Sequence, residues 1–200
     1  VDIASLLEST GQEVLASLAA RIAREIRLAL EENAVVRHPL HGEIWAYETD
    51  GYGNHLLMDD ANAPSLLSLP YMGFCASDDP RYLRPRAFCL SRENSSFVSG
   101  RHGSGIGSPH TGPGTIWPMA LAMQALTACD DGEILSCLRL LNSTHAETGF
   151  MHESFRADDP GVFTRPWFAW ANTLFGELIM DLSHERPHLL AGPLNRPVEN

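Results

Sequence analysis

Residues 103 to 118 read Gly-Ser-Gly-Ile-Gly-Ser-Pro-His-Thr-Gly-Pro-Gly-Thr-Ile-Trp-Pro, a tightly turned polar loop pinned to the start of a helical run. The design recurs at 148 to 155, Thr-Gly-Phe-Met-His-Glu-Ser-Phe, where a lone carboxylate stands among aromatics and glycine ahead of a second Pro-led helix. Two loops of this kind predict the walls of one cleft, with Glu153 as the residue able to do chemistry in it. A carboxylate activates water only when ionised. Its neighbours Met151 and Phe155 oppose ionisation by desolvation, whereas a cation such as Arg156 or Arg165 favours it. The competing role for Glu153 is structural, fixing the loop by accepting backbone N–H groups.

Other chemistries fail on spacing. His152-Glu153 does not extend to the zinc-binding His-Glu-x-x-His, because position 156 is Arg. Gly103-Ser104-Gly105-Ile106-Gly107-Ser108 lacks the third glycine of a dinucleotide loop, and no strand-helix unit surrounds it. Ser104 lies between His102 and Ile106, so no Gly-x-Ser-x-Gly nucleophile elbow forms. The sequence therefore calls for no metal and no cofactor.

The elements that must position these loops follow from periodicity. Ile3, Leu6, Leu7, Val14, Leu15, Leu18, Ile22, Ile26 and Leu30 recur at helical spacing, and Gly11 leaves one helix or two equally open. Trp45, Tyr47 and Gly51-Tyr52-Gly53 predict a short β-hairpin or extended arm near 43–54. Asp59-Asp60-Ala61-Asn62-Ala63-Pro64 reads as the N-terminal signal of a helix over Ser65 to Tyr71. Residues 76 to 114 read as a long excursion with one short strand at Ala87 to Leu90. Helices are predicted at Thr115 to Ala128, Gly132 to Leu141 and Pro166 to Leu182. The last carries a stripe from Trp167 to Ile179, broad enough to imply burial between neighbours.

Composition narrows the class. Two hundred residues, 44% of them hydrophobic, suffice for a single domain over 1–200 with a substantial core. A net charge of -11, without a long basic stretch, argues against a nucleic-acid partner. No apolar run approaches the ~20 residues that span a bilayer, and no segment reads as a signal peptide, which predicts a soluble chain of open localisation. Cys75, Cys89, Cys129 and Cys137 lack metal-ligand spacing and read as core thiols. Asn94-Ser95-Ser96 and Asn142-Ser143-Thr144 are glycosylation acceptors only in a secreted chain.

The residues also carry a resemblance. His41 to Asn54, Leu57 to Leu67, Ser108 to Pro118, Gly149 to Phe155 and Arg165 to Asn172 resemble, in the same order, the metal-independent exo-α-1,6-mannosidases of glycoside hydrolase family 125. The resemblance implies a mainly α chain forming part of an (α/α)6 toroid. It also implies inverting hydrolysis, with an acid and a base carboxyl group ~6.5–9.5 Å apart. Glu153 matches the general-base position. The family's general acid lies in an Arg-Pro-Ser-Asp-Asp element just ahead of the helix with which this chain begins. Arg84-Pro85-Arg86 and Asp78-Asp79-Pro80 do not supply that element. The expectation is a C-terminal fragment of the barrel, acting on an α-mannoside or glycan and partnered by the missing N-terminal half or by itself. Without such a partner, the apolar face from Ile3 to Leu30 is left exposed.

With a sugar as substrate, the candidate binding residues are Asp59, Asp60, Asn62, His110, Trp117, His152, Arg165 and Trp167. Asp59 and Asp60 either accept hydrogen bonds from vicinal hydroxyls or cap a helix. Trp117, Trp167 and Trp170 either stack on a pyranose or pack in the core. Arg165 either clamps a hydroxyl or holds Glu153. Two alternatives stay open: a non-catalytic carbohydrate-binding module, and a glucoamylase-like toroidal glycosidase using a second carboxylate such as Asp60.

Overall fold

A computed structural model describes residues 3–192. It divides into two compact units, Val1–Leu57 and Met58–Asn200. In the first unit, α1 (Ile3–Ser9) and α2 (Glu13–Asn33) are separated at Gly11, whose φ of +73° is disfavoured for any residue with a Cβ. The periodic stripe therefore becomes two helices. Only Ala16 of α2 is buried, while Val14, Leu15, Leu18, Ile22, Ile26 and Leu28 are exposed. Two antiparallel hairpins follow: β1 (Val35–His38) with β2 (Gly42–Trp45), and β3 (Glu48–Thr49) with β4 (His55–Leu56). The single expected hairpin is thus the end of one and the whole of another.

The second unit holds α3 (Pro80–Cys89), the hairpin β5 (Phe97–Gly100) and β6 (Gly103–Ile106), β7 (Thr115–Ile116), α4 (Pro118–Leu126) and α5 (Asp131–Ser143). β8 (Ser154–Arg156), β9 (Asp159–Thr164) and α6 (Ala169–Glu185) complete it. β7, β8 and β9 form one antiparallel sheet in that order. The core is built on α4, which is apolar nearly all round and packs against both α5 and α6. Met119, Leu121, Met123, Ile134, Leu138, Leu141, Leu174 and Leu178 meet there. Pro118 opens α4 at a position where a missing N–H costs nothing, and the Asp130 side chain accepts from Glu133 N at 2.8 Å to open α5.

Several expectations are corrected. Residues 65–71 form turns, not a helix, because Ser65 and Ser68 bond each other's backbone: Ser65 N donates to Ser68 Oγ at 2.7 Å and Ser68 N to Ser65 Oγ at 3.2 Å. The strand predicted at Ala87 to Leu90 is the end of α3, whose start was legible in Asp79-Pro80, an N-cap accepting from Arg81 N with Pro in the first turn. The excursion over 76–114 therefore contains a helix and a hairpin. Trp167 and Trp170 are exposed rather than buried between neighbours. Cys89 and Cys137 are core thiols, Cys75 is half-buried and Cys129 is exposed. Asn94 is buried, its side chain donating to Cys89 O and accepting from Asp59 N and Ser96 N, so the folded chain offers no glycan acceptor there. Among the described residues, no helix is long and apolar enough to cross a membrane.

Gly107 ties the loops together. Its N–H donates to Ser96 O, its carbonyl accepts from Ala61 N, and a Cβ built on it meets Thr115 O at 2.2 Å. Backbone, not a flexible side chain, blocks that position. Gly107→Ala is expected to cost about 1–3 kcal/mol, the range for forced overpacking, measured by denaturant unfolding.

Candidate active site

Glu153 stands just before β8, in a segment gripped from the far side of the β8–β9 turn. Its N–H donates to Thr164 O at 3.2 Å, and Ser154 pairs with Thr164 through both register and a 2.8 Å contact between hydroxyls. Phe168 N donates to Met151 O at 3.1 Å. Asn172, one turn into α6, accepts from Met151 N and donates to Met151 O and Phe168 O, serving the loop as a strand partner would. The Glu153 carboxylate lies 3.3 Å from Arg165 Nη1, with 12% of its side chain exposed against 64% for Arg165. The Arg165 guanidinium in turn sits 5.5 Å from the Phe168 ring centroid. Of the two cations expected as partners, Arg165 makes the pair.

Three of the expected sugar contacts, His152, Trp117 and Asp59, are buried. His152 is fully buried, stacked on Phe163 at 3.9 Å, with Nδ1 3.0 Å from Pro166 O. A carbonyl only accepts, so Nδ1 carries the proton, and Nε2 is left with no hydrogen-bond partner. Trp117 is buried, its indole N–H donating to Thr111 Oγ1 at 2.8 Å and its ring edge-on to Phe168. Asp59 is buried, one oxygen accepting from Leu66 N at 2.8 Å and the other from Leu67 N at 3.1 Å. The polar side-chain atoms of Asp59 and Trp117 are thus taken by the protein itself, whereas His152 keeps one nitrogen without a partner.

Of the remaining candidates, Asp60 is buried, Asn62 is half-buried, and His110 and Trp167 are exposed. Asp60 is held at Oδ2 by Asn62 at 3.0 Å, and its Oδ1 has no partner. His110 is exposed in a short 3₁₀ turn, Pro109–Thr111, capped by Ser108 Oγ. Trp167 is 57% exposed. The loop around His110 also walls an open groove of about 530 Å³, lined by Met58, Ser95, Ser96, Phe97, Ser108 and Pro113 among others. Sequence reasoning missed the parts played by Phe168, Thr111 and Asn172; the one signal was a polar Asn within the apolar stripe of α6. Among the described residues, no three His, Cys, Asp or Glu side chains are grouped to hold a metal ion.

Helices led in by polar, glycine-rich loops resemble the toroidal glycosidases. A bacterial glucoamylase complexed with acarbose matches with a TM-score of 0.67 over 89% of this chain and 31% of its own, and at 14% identity shares the fold alone. The chain belongs to the metal-independent α-mannosidases of glycoside hydrolase family 125, whose family model matches residues 1–180. A Streptococcus pneumoniae metal-independent α-mannosidase, in a non-productive complex with α-1,6-mannobiose, matches with a TM-score of 0.88 and 39% identity over 92% of this chain. The meiotically up-regulated gene 157 protein of Schizosaccharomyces pombe is 49% identical over 186 residues. The chain spans 44% of the streptococcal structure and 36% of the yeast protein.

Burial pushes the Asp59 carboxyl up to about 6, against the opposing pull of the two backbone amides and the Cys89 thiol. The folded state thus holds a proton over a window in which the unfolded chain has released it. Stability from this group is full below pH ~4 and is lost as pH rises through ~6. Between pH 5 and 7 the chain is expected to lose on the order of 1 kcal/mol through Asp59, a slope absent from Asp59→Asn when melting is followed against pH.

Proposed function

We propose that this chain carries the water-activating side of an exo-acting α-1,6-mannosidase that hydrolyses terminal mannose with inversion. Glu153 is the general base. It takes a proton from water as the water oxygen bonds to the anomeric carbon, and the glycosidic C–O bond breaks on the opposite face. The departing oxygen takes its proton from an acid supplied by the rest of the barrel. The carrying observation is the Glu153 carboxylate itself: nearly buried, fixed through its own backbone to Thr164, and paired with Arg165, within a chain of this family. Such an arrangement suits a group that must stay ionised and aimed.

His110, Asp60 with Asn62, and Trp167 are the proposed sugar contacts. Asp60 Oδ1 is an acceptor without a partner, suited to a sugar hydroxyl, and the exposed Trp167 indole offers an apolar face to a pyranose. The α-1,6 specificity rests on the streptococcal relative's bound mannobiose and on the motifs shared with the family. The remaining barrel is proposed to come from an N-terminal portion, which would also cover the exposed apolar residues of α2.

The test is mannose release from α-1,6-mannobiose by the chain, alone and mixed with the N-terminal portion of a family member. Glu153→Gln is expected to lower kcat in the active preparation by ~10²–10⁴. Full activity in that variant would sink the assignment of the base. Binding of mannobiose without release in either preparation would favour a non-catalytic module. Trp167→Ala is expected to raise KM about tenfold, the loss of one stacked ring, with kcat much less affected.

A further inference from the structure

Among the described residues, three other than glycine have positive φ: Ala146 and Glu147 in one turn, and Arg165, at +44°. Arg165 stands alone and meets the only carboxylate of the 148–155 loop. A side chain with a Cβ in the left-handed region is strained, and such strain persists only where the surroundings over-determine it. Here they do. On one side Thr164 is bonded to Glu153 N and to Ser154 Oγ. On the other, the Pro166 carbonyl is held by His152 Nδ1 and Phe168 N by Met151 O. Residues 151–154 therefore grip the chain before and after Arg165, and His152 is immobilised for this by full burial and by stacking on Phe163.

The return on this strain is not stability. An ion pair whose arginine is 64% exposed contributes little to folding. We infer that Arg165 is a positioning residue: its left-handed backbone, clamped through His152 and Ser154, delivers the guanidinium to Glu153 and fixes the direction of that carboxylate. The inference rests on the reading of Glu153 as the base. It assigns Arg165 to Glu153 rather than to a sugar hydroxyl, and it gives His152 a role that needs no contact with substrate.

The experiment compares Arg165→Gly, Arg165→Lys and Glu153→Ala. Glycine accepts the left-handed backbone without strain, so Arg165→Gly is expected to melt at or above the temperature of the unmodified chain. In the active preparation its kcat on α-1,6-mannobiose is expected to fall about 100-fold, the cost of a misaimed group, with KM within about twofold. Arg165→Lys, keeping the charge but not the planar fork, is expected to recover part of kcat. A lower melting temperature for Arg165→Gly overturns the inference, with or without turnover. An unchanged kcat, or a loss confined to KM, also overturns it. Glu153→Ala separates the two readings: rescue by azide, which bonds to the anomeric carbon in place of activated water, upholds Glu153 as the base whatever Arg165 does. Full activity in Glu153→Ala without azide sinks the base itself.

Discussion

Backbone amides carried inside by irregular loops must find partners there, and this requirement organises the second unit. The segments ahead of α4 and α6 pair in short ladders, β5 with β6 and β7 with β8 and β9, which leave the turns between them without regular partners. Side chains from elsewhere supply the rest. Asp59 takes two amides of the 65–68 turns, Asn94 takes the amides of Asp59 and Ser96, and Asn172 takes both polar groups of Met151. Gly107 lets the segments meet, because only a residue without Cβ passes this close to the Thr115 carbonyl. The candidate site is thus held by bonds between loops, with the packed helices serving as the base on which they rest.

That arrangement explains which parts were legible in the sequence. The helices of the second unit follow from apolar period and caps, and α4, α5 and α6 fall within a few residues of expectation. The turns at 65–71 did not follow, because an Asx-Pro cluster is a helix signal only when nearby hydroxyls do not satisfy the same backbone groups. α3 was hidden by a Pro at position 85 and by the polar composition around it, although Asp79-Pro80 announced its start.

At the site, residue type marked candidates but did not show which of their polar atoms the protein itself would occupy. Asp59, Trp117 and His152 have the chemistry of sugar ligands, and each is buried, with both Asp59 oxygens, Trp117 Nε1 and His152 Nδ1 bonded to the protein. No pattern of spacing separates an aspartate that bonds an amide from one that bonds a hydroxyl. The difference lies in long-range partners, such as the Thr111 hydroxyl for Trp117 or the Pro166 carbonyl for His152. Asp60 shows the complementary case: it neighbours Asp59 in sequence, yet one of its oxygens has no partner. Both are buried, so the pair divides between an aspartate whose two oxygens are taken by backbone amides and one with an oxygen left unpartnered.

The two units also differ in how their apolar stripes are used. α4, α5 and α6 bury their stripes against one another, so the second unit holds a core of its own. α2 has the same helical period and buries a single alanine, leaving six large apolar side chains in water. Hydrophobic free energy scales with the area removed from water, at about 25 cal/mol per Å². A stripe left in water therefore adds almost nothing, and the spacing that encodes it is meaningful only against a surface able to cover it. Propensity alone seldom holds a helix of this length in water. The stability of the loops around Glu153 accordingly resides in the second unit, whose helices bury their own stripes.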